Sequence, residues 1–285
     1  MTINDVKIGF QQKLATLYEP KEIQSIFELI AENLGFSATT LLLSRDEEIS
    51  EQQKIYFDTC LLRLEKSEPV QYVRGKSDFY GLLFSVNPSV LIPRLETEEL
   101  VDLIIKENLN CSGKIIDLGT GSGCIAISLA KNVRNAEVTA VDVSEKALDV
   151  AQKNAQQHQV DITFCQADML NEESLSQFTE YDIIVSNPPY VCNSEKKDMR
   201  PNVLNYEPHL ALFVDDNNPL VFYHAIAKFA IEKLVAGGKI YCEINESFGN
   251  ETVALFKSYG FVNCEIRRDF FGKDRIVKAM KKKES

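Results

Sequence analysis

From Ile115 to Met280 the chain alternates short apolar runs with helical patterns, and this alternation constrains the fold more than any other feature. The runs at 114–118, 137–141, 162–166, 181–186 and 239–243 predict strands. Cores such as Ile183-Ile184-Val185 are apolar without a break, so both faces of such a strand need cover. Strands and helices in series predict an α/β domain built on a mostly parallel, doubly wound sheet with helices on each side. Two later runs, 261–267 and 275–280, are expected to close the sheet as a terminal hairpin. Asn218 and Pro219 read as the N-cap and first residue of a helix to about Val235, ended by Gly237-Gly238.

The chain before this region reads differently. Val6, Phe10, Leu14 and Leu17 form one helical stripe. Ile23, Ile26, Phe27, Ile30 and Leu34 form a second, with Gly35 as its C-cap. Ser50 followed by Gln53 matches a capping box that opens a third helix through about Leu64. Residues 1–76 are thus expected to form a small helical bundle. Phe79 to Val86 and Val90-Leu91-Ile92 flank Asn87-Pro88-Ser89, which predicts a β-hairpin connector over 77–92 ahead of a catalytic domain at 93–285.

Composition narrows the function. With 42 acidic against 31 basic residues the net charge is −11, which disfavours nucleic acid as the main ligand. Lys281 to Lys283 are expected to be a frayed, solvated tail. No basic leader opens the sequence and no apolar run approaches the ~20 residues of a membrane helix, so neither a secretory signal nor a membrane span is expected. The seven cysteines include no C-x-x-C pair, and His158, His209 and His224 have no metal-ligand spacing. Reduced thiols, a cytoplasmic location and no metal are expected.

Two motifs carry chemistry. The first is Asp117-Leu118-Gly119-Thr120-Gly121-Ser122-Gly123, a strand end followed by a glycine-rich turn and a helix start. The dinucleotide fingerprint G-x-G-x-x-G would need glycine at 124, where this chain has Cys124; its spacing is G-x-G-x-G. Asp142, beside Val143, ends the next strand, where a carboxylate can accept both hydroxyl protons of an adenosine ribose. Asp168 and Met169 end the third strand and are placed to meet the adenine. Any of these acids can instead simply cap the helix that follows, as Ser144 is expected to do.

The second motif is Asn187-Pro188-Pro189-Tyr190, at the end of the fourth strand. Successive prolines stiffen the turn and hold Asn187 extended. Two acceptors follow: the Asn187 side-chain oxygen and the Pro188 carbonyl. An amide or aromatic amine nitrogen is a poor nucleophile because its lone pair is delocalised. Gripping both N–H groups aims that lone pair at a sulfonium methyl and stabilises the charge that develops. Tyr190 can wall a planar target. The motif predicts methyl transfer from S-adenosylmethionine, leaving S-adenosylhomocysteine.

Together these residues resemble the HemK/PrmC family of release-factor glutamine methyltransferases. The likeness extends to Pro69-Val70-Gln71-Tyr72-Val73-Arg74-Gly75, Phe79-Tyr80-Gly81 through Pro93-Arg94, Glu96-Thr97-Glu98, Glu207-Pro208 with Ala211-Leu212, and Arg268-Asp269-Phe270 with Gly272. It covers roughly residues 69 to 280. The family usually has proline where this chain has Leu95, which leaves a helix start less rigid. The resemblance implies a Rossmann-like class I methyltransferase domain and, as substrate, the glutamine of the Gly-Gly-Gln motif in bacterial class 1 release factors. It also implies that the N-terminal helices help hold that factor. A monomer is expected. The rival is an adenine-N6 nucleic-acid methyltransferase, which faces the same lone-pair problem. The acidic charge and the upstream match weigh against it.

Overall fold

The computed structural model describes residues 1–43, 46–108 and 113–283. The elements in chain order are α1 (Ile3–Leu14), α2 (Pro20–Glu32), α3 (Ala38–Leu43), α4 (Glu51–Leu64), α5 (Val70–Arg74), β1 (Lys76–Phe79), β2 (Leu82–Ser85) and α6 (Leu95–Asn108). Then follow β3 (Lys114–Leu118), α7 (Cys124–Asn132), β4 (Glu137–Asp142), α8 (Glu145–His158), β5 (Thr163–Gln166), α9 (Glu172–Leu175) and β6 (Tyr181–Ser186). The chain finishes with β7 (Val191–Cys192), α10 (Pro201–Tyr206), β8 (Phe213–Val214), α11 (Val221–Lys233), β9 (Leu234–Glu243), α12 (Gly249–Ser258), β10 (Val262–Arg268) and β11 (Asp274–Met280). Two compact units result, one of residues 1–76 with 200–206 and the other of the remainder.

The first unit is helical because three amphipathic stripes meet. Phe10, Phe27 and Phe57, from α1, α2 and α4, touch ring to ring at 5.5 to 6.2 Å between centroids. Ser50 and Gln53 form the reciprocal capping box expected of α4, and Thr2 with Asp5 does the same for α1. Arg74 is buried and pairs with Glu32. Two expectations shift here. Leu17 lies beyond the end of α1 and is exposed, since the helix stops at Leu14. Helix α2 ends at Glu32 with Asn33 as its C-cap, and Gly35 supplies the left-handed residue two positions later.

In the second unit, seven strands lie in the order β10-β11-β9-β6-β3-β4-β5. Strands β3, β4, β5, β6 and β9 run parallel, and the terminal hairpin β10–β11 adds the antiparallel edge. Successive side chains feed opposite faces, which is why the strand sequences are apolar throughout. Ile116, Ile184 and Ile240 pack with Tyr223, Ile226 and Phe256 of α11 and α12. Ile115, Ile183 and Tyr241 pack with Leu100, Ile104, Ile127 and Leu129 of α6 and α7.

Three local expectations need correction in this unit. The hairpin turns at Tyr80-Gly81 rather than Asn87-Pro88-Ser89, and residues 90–92 form no strand. Both turn residues take left-handed φ, +48° and +71°, the requirement of a type I′ turn. Glu98 holds the Tyr80 N–H at 2.9 Å, and Asn154 clasps the Ser85 backbone from both sides. Helix α11 begins at Val221, two residues after Pro219, and Gly237-Gly238 lie inside β9. Pairing with β6 skips from Leu234 to Lys239, so the glycines form an irregularity in the strand. A Cβ at Gly238 would stand 2.8 Å from the Leu234 side chain. Finally, Lys281 is anchored, with Nζ donating to the carbonyls of Ile231 and Leu234.

Candidate active site

The switch point of the sheet lies at β3, whose neighbours β4 and β6 sit on opposite sides, and ligands of open α/β sheets bind outside the strand ends there. The glycine loop leaving β3 is strapped to β4 by the Gly119 and Thr120 N–H groups, which donate to the Val141 carbonyl at 2.8 and 2.9 Å. Gly119, Gly121 and Gly123 all have φ between +55° and +81°, so the turn needs glycine on backbone grounds. At Gly123 space forbids a side chain as well, because a Cβ would meet Ala151 and Ile127 at 3.1 Å. At Gly121 a Cβ would enter open space.

That space is a cavity of about 250 Å³. Its near wall is Gly119 to Ser122, with Asp142, Val143, Asp168 and Met169 along one side. Asp142 accepts the Gly121 N–H on Oδ2 and the Ser144 N–H on Oδ1, both at 2.9 Å. Burial raises its pKa against the pull of these amides. Asp168 accepts the Leu170 N–H at 2.8 Å, and Met169 lies against Gly119. The far wall is Asn187, Pro189, Thr97 and the stretch from Ile92 to Arg94. Glu207, almost fully buried, accepts the Ile92 N–H at 3.1 Å and pairs with Arg94 at 2.6 Å.

Behind Asn187 runs a chain of hydrogen bonds. Its Nδ2 donates to Thr97 Oγ1 at 3.1 Å, and the Thr97 hydroxyl donates to Glu243 Oε2 at 2.6 Å. The Tyr190 hydroxyl donates to the other Glu243 oxygen at 2.8 Å. Glu243 ends β9, which pairs with β6, so the two strands bring this carboxylate beside the loop after Ser186. Burial pushes its pKa up, opposed by the Thr97 and Tyr190 hydrogen bonds and by the charge of Arg275. Burial, then the charge of Glu243, keeps the Tyr190 phenol well above its ordinary range.

The comparisons with known proteins fit this geometry. A family model described as Methyltransferase small domain matches residues 96–205, and one described as PrmC N-terminal domain matches residues 9–75. A release factor glutamine methyltransferase from Flavobacterium psychrophilum is 50% identical over 283 residues, covering 98% of this chain and 99% of that protein. One from Bacteroides thetaiotaomicron is 44% identical over 97% of this chain and 99% of its own. The chain belongs to the release factor glutamine methyltransferase family. A methyltransferase structure from Pyrococcus furiosus shares the fold, with a TM-score of 0.53 at 17% identity over 82% of this chain and 100% of that one.

In this family member most of the residues singled out from sequence converge on the cavity, but not all of them face it. Asp117, Gly123, Pro188 and Tyr190 are outside its lining. Asp117 is fully buried and acts through Thr120, whose hydroxyl donates to its Oδ2 at 2.7 Å. Its Oδ1 closes no hydrogen bond. Burial lifts its pKa to about 7 despite the Thr120 hydrogen bond; the nearby Asp142 charge adds to the rise and the Ala126 N–H opposes it. Tyr190, read from sequence as a wall for the substrate, has its hydroxyl committed to Glu243. Within Glu96-Thr97-Glu98, Thr97 lines the cavity and Glu98 holds the hairpin turn. Glu243 carried no sequence signal, because an acid at a strand end is unremarkable until the strand order is known. Among the described residues no cluster of metal-ligating side chains occurs.

Proposed function

We propose that this enzyme transfers a methyl group from S-adenosylmethionine to the side-chain amide nitrogen (N5) of the glutamine in the Gly-Gly-Gln motif of bacterial class 1 peptide chain release factors. The observation that carries the reading is the Asn187 side chain. With Nδ2 committed to Thr97, its Oδ1 is left to accept an N–H from a planar amide in the cavity.

The glycine turn and the acid at the end of β4 suit an adenosine-containing cofactor: Gly121 leaves room for close approach, and Asp142 retains lone pairs beyond its two backbone bonds. Val143 and Met169 offer apolar contact to a flat base, and Asp168 an acceptor for its amine. When bound, S-adenosylmethionine supplies an electrophilic methyl on sulfur. The protein holds the substrate nitrogen. Asn187 Oδ1, which faces the cavity, takes one of its N–H groups, helping to turn its lone pair out of conjugation and toward that methyl; Pro188, outside the lining, stiffens the turn that holds Asn187 there. The N–H proton becomes acidic once the N–C bond forms, so no base has to act first.

The acidic surface and the match across the full length of release factor enzymes favour this substrate over adenine. No described helix is long and apolar enough to cross a membrane. We place the enzyme in the cytoplasm as a monomer, with the helical unit at residues 1–76 gripping the release factor and 77–92 as connector. A grip of that kind predicts faster methylation of an intact factor than of a short Gly-Gly-Gln peptide at equal concentration; equal rates would remove it. The reaction itself is tested with labelled S-adenosylmethionine, unmethylated release factor and peptide mass spectrometry. Label on the Gly-Gly-Gln glutamine is expected. Label on adenine in a parallel nucleic-acid reaction, and none on the factor, would overturn the substrate.

A further inference from the structure

An asparagine amide has two ends of nearly the same shape and opposite chemistry, and half a turn about its last bond exchanges acceptor for donors. The clamp works in only one orientation: a donor pointed at the substrate N–H would repel it. Nothing in the shape of Asn187 selects that orientation, so something beside it has to.

Thr97 is 2% exposed and Glu243 1% exposed, so water does not compete for either group. Thr97 has a single hydroxyl proton. An ionised carboxylate accepts and never donates, so that proton points to Glu243, 2.6 Å away. The Thr97 oxygen then presents only lone pairs to Asn187, and only the NH₂ end of the amide can satisfy them. Tyr190 spends its own proton on the second carboxylate oxygen, which removes the other donor from competition. We propose that Glu243 acts through Thr97 as a positioning relay that fixes which end of the Asn187 amide faces the substrate. The relay rests on the reaction proposed above. It also strengthens the clamp: hydrogen bonds in series polarise one another, so the carboxylate draws the Asn187 N–H groups and makes Oδ1 a better acceptor.

The replacement Glu243→Gln separates a relay from a structural tie. Glutamine has the same shape and relieves a buried charge. Its Nε2 can donate to Thr97, freeing the Thr97 proton to turn toward Asn187 and reverse the amide. The expected result is a kcat lower by roughly tenfold or more, with the KM for release factor, the cofactor Kd and the melting temperature held or improved. In an Asn187→Ala background the same replacement should cost no further turnover, since there is no amide left to orient. Thr97→Val should repeat the kcat loss, and Thr97→Ser, which restores the hydroxyl, should recover most of it. Full turnover in Glu243→Gln, or losses that multiply with that of Asn187→Ala, would overturn the relay. So would a Thr97→Ser enzyme as slow as Thr97→Val. Absence of glutamine methylation by the unmodified enzyme in the same assay would instead remove the proposed reaction, and the relay with it.

Discussion

Asp117 carries a testable thermodynamic consequence. Its carboxyl is fully buried, satisfied on one oxygen only, and has its pKa lifted to about 7 from 3.8. A raised acid pKa means that the folded state keeps a proton the unfolded chain gives up. Below the unfolded value both forms are protonated and the effect vanishes; above it, stability falls until the folded pKa is passed. A rise from 3.8 to about 7 corresponds to roughly 4 kcal/mol of destabilisation once pH exceeds about 7. At about pH 5 only some 1.5 kcal/mol of it is present. Asp117→Asn abolishes the titration. The asparagine oxygen can still accept from Thr120, but its NH₂ falls where Oδ1 now has no closed partner, at a pH-independent cost of about 1–3 kcal/mol. The difference in stability between variant and parent should therefore move in favour of the variant by about 2–3 kcal/mol from about pH 5 to about pH 8. Urea unfolding followed by circular dichroism measures it, since the chain has no tryptophan. A difference independent of pH would refute the buried neutral carboxyl.

Other consequences follow from the same geometry. Asp142→Ala removes the acceptor of two backbone amides and of the proposed ribose contact, and should raise the cofactor Kd by roughly 10- to 100-fold. Titration calorimetry would show this, with turnover at saturating cofactor changed far less. Leu95 is the exposed first residue of α6, so Leu95→Pro should stabilise by about 0.4–1 kcal/mol; a lower melting temperature would contradict that. Glu243 faces Thr97 and Glu96 from α6, Tyr190 from the loop after β6 and Arg275 from β11. Once protonated, it can donate to Thr97 and reverse the relay, so kcat should fall as pH drops through a pKa that burial sets above the usual carboxylate range. In Glu243→Gln that acid limb should be flat.

The sheet was legible in the sequence because a strand buried on both faces has to be apolar at consecutive positions, as Ile115-Ile116 and Ile183-Ile184 are. The glycine turn and the Asn-Pro-Pro-Tyr loop were legible because backbone sterics restrict what can stand there. The hairpin turn was misplaced because Asn-Pro-Ser is common turn chemistry, whereas Tyr80 takes a left-handed φ under the hold of Glu98, 18 residues away. Gly237-Gly238 reads locally as a helix stop. Only the partner strand β6 shows it to be an irregularity inside β9. The Thr97–Glu243 bond spans 146 residues of sequence and exists because α6 packs against β9. Helices α3, α5 and α10 are too short to reveal a period.

The central claim is that Asn187 Oδ1 holds the substrate amide during methyl transfer. Single-turnover transfer to release factor by Asn187→Ala, at saturating cofactor and factor, tests it most directly. The account predicts a rate lower on the order of a hundredfold with cofactor affinity nearly unchanged. A variant that transfers methyl as fast as its parent would contradict it.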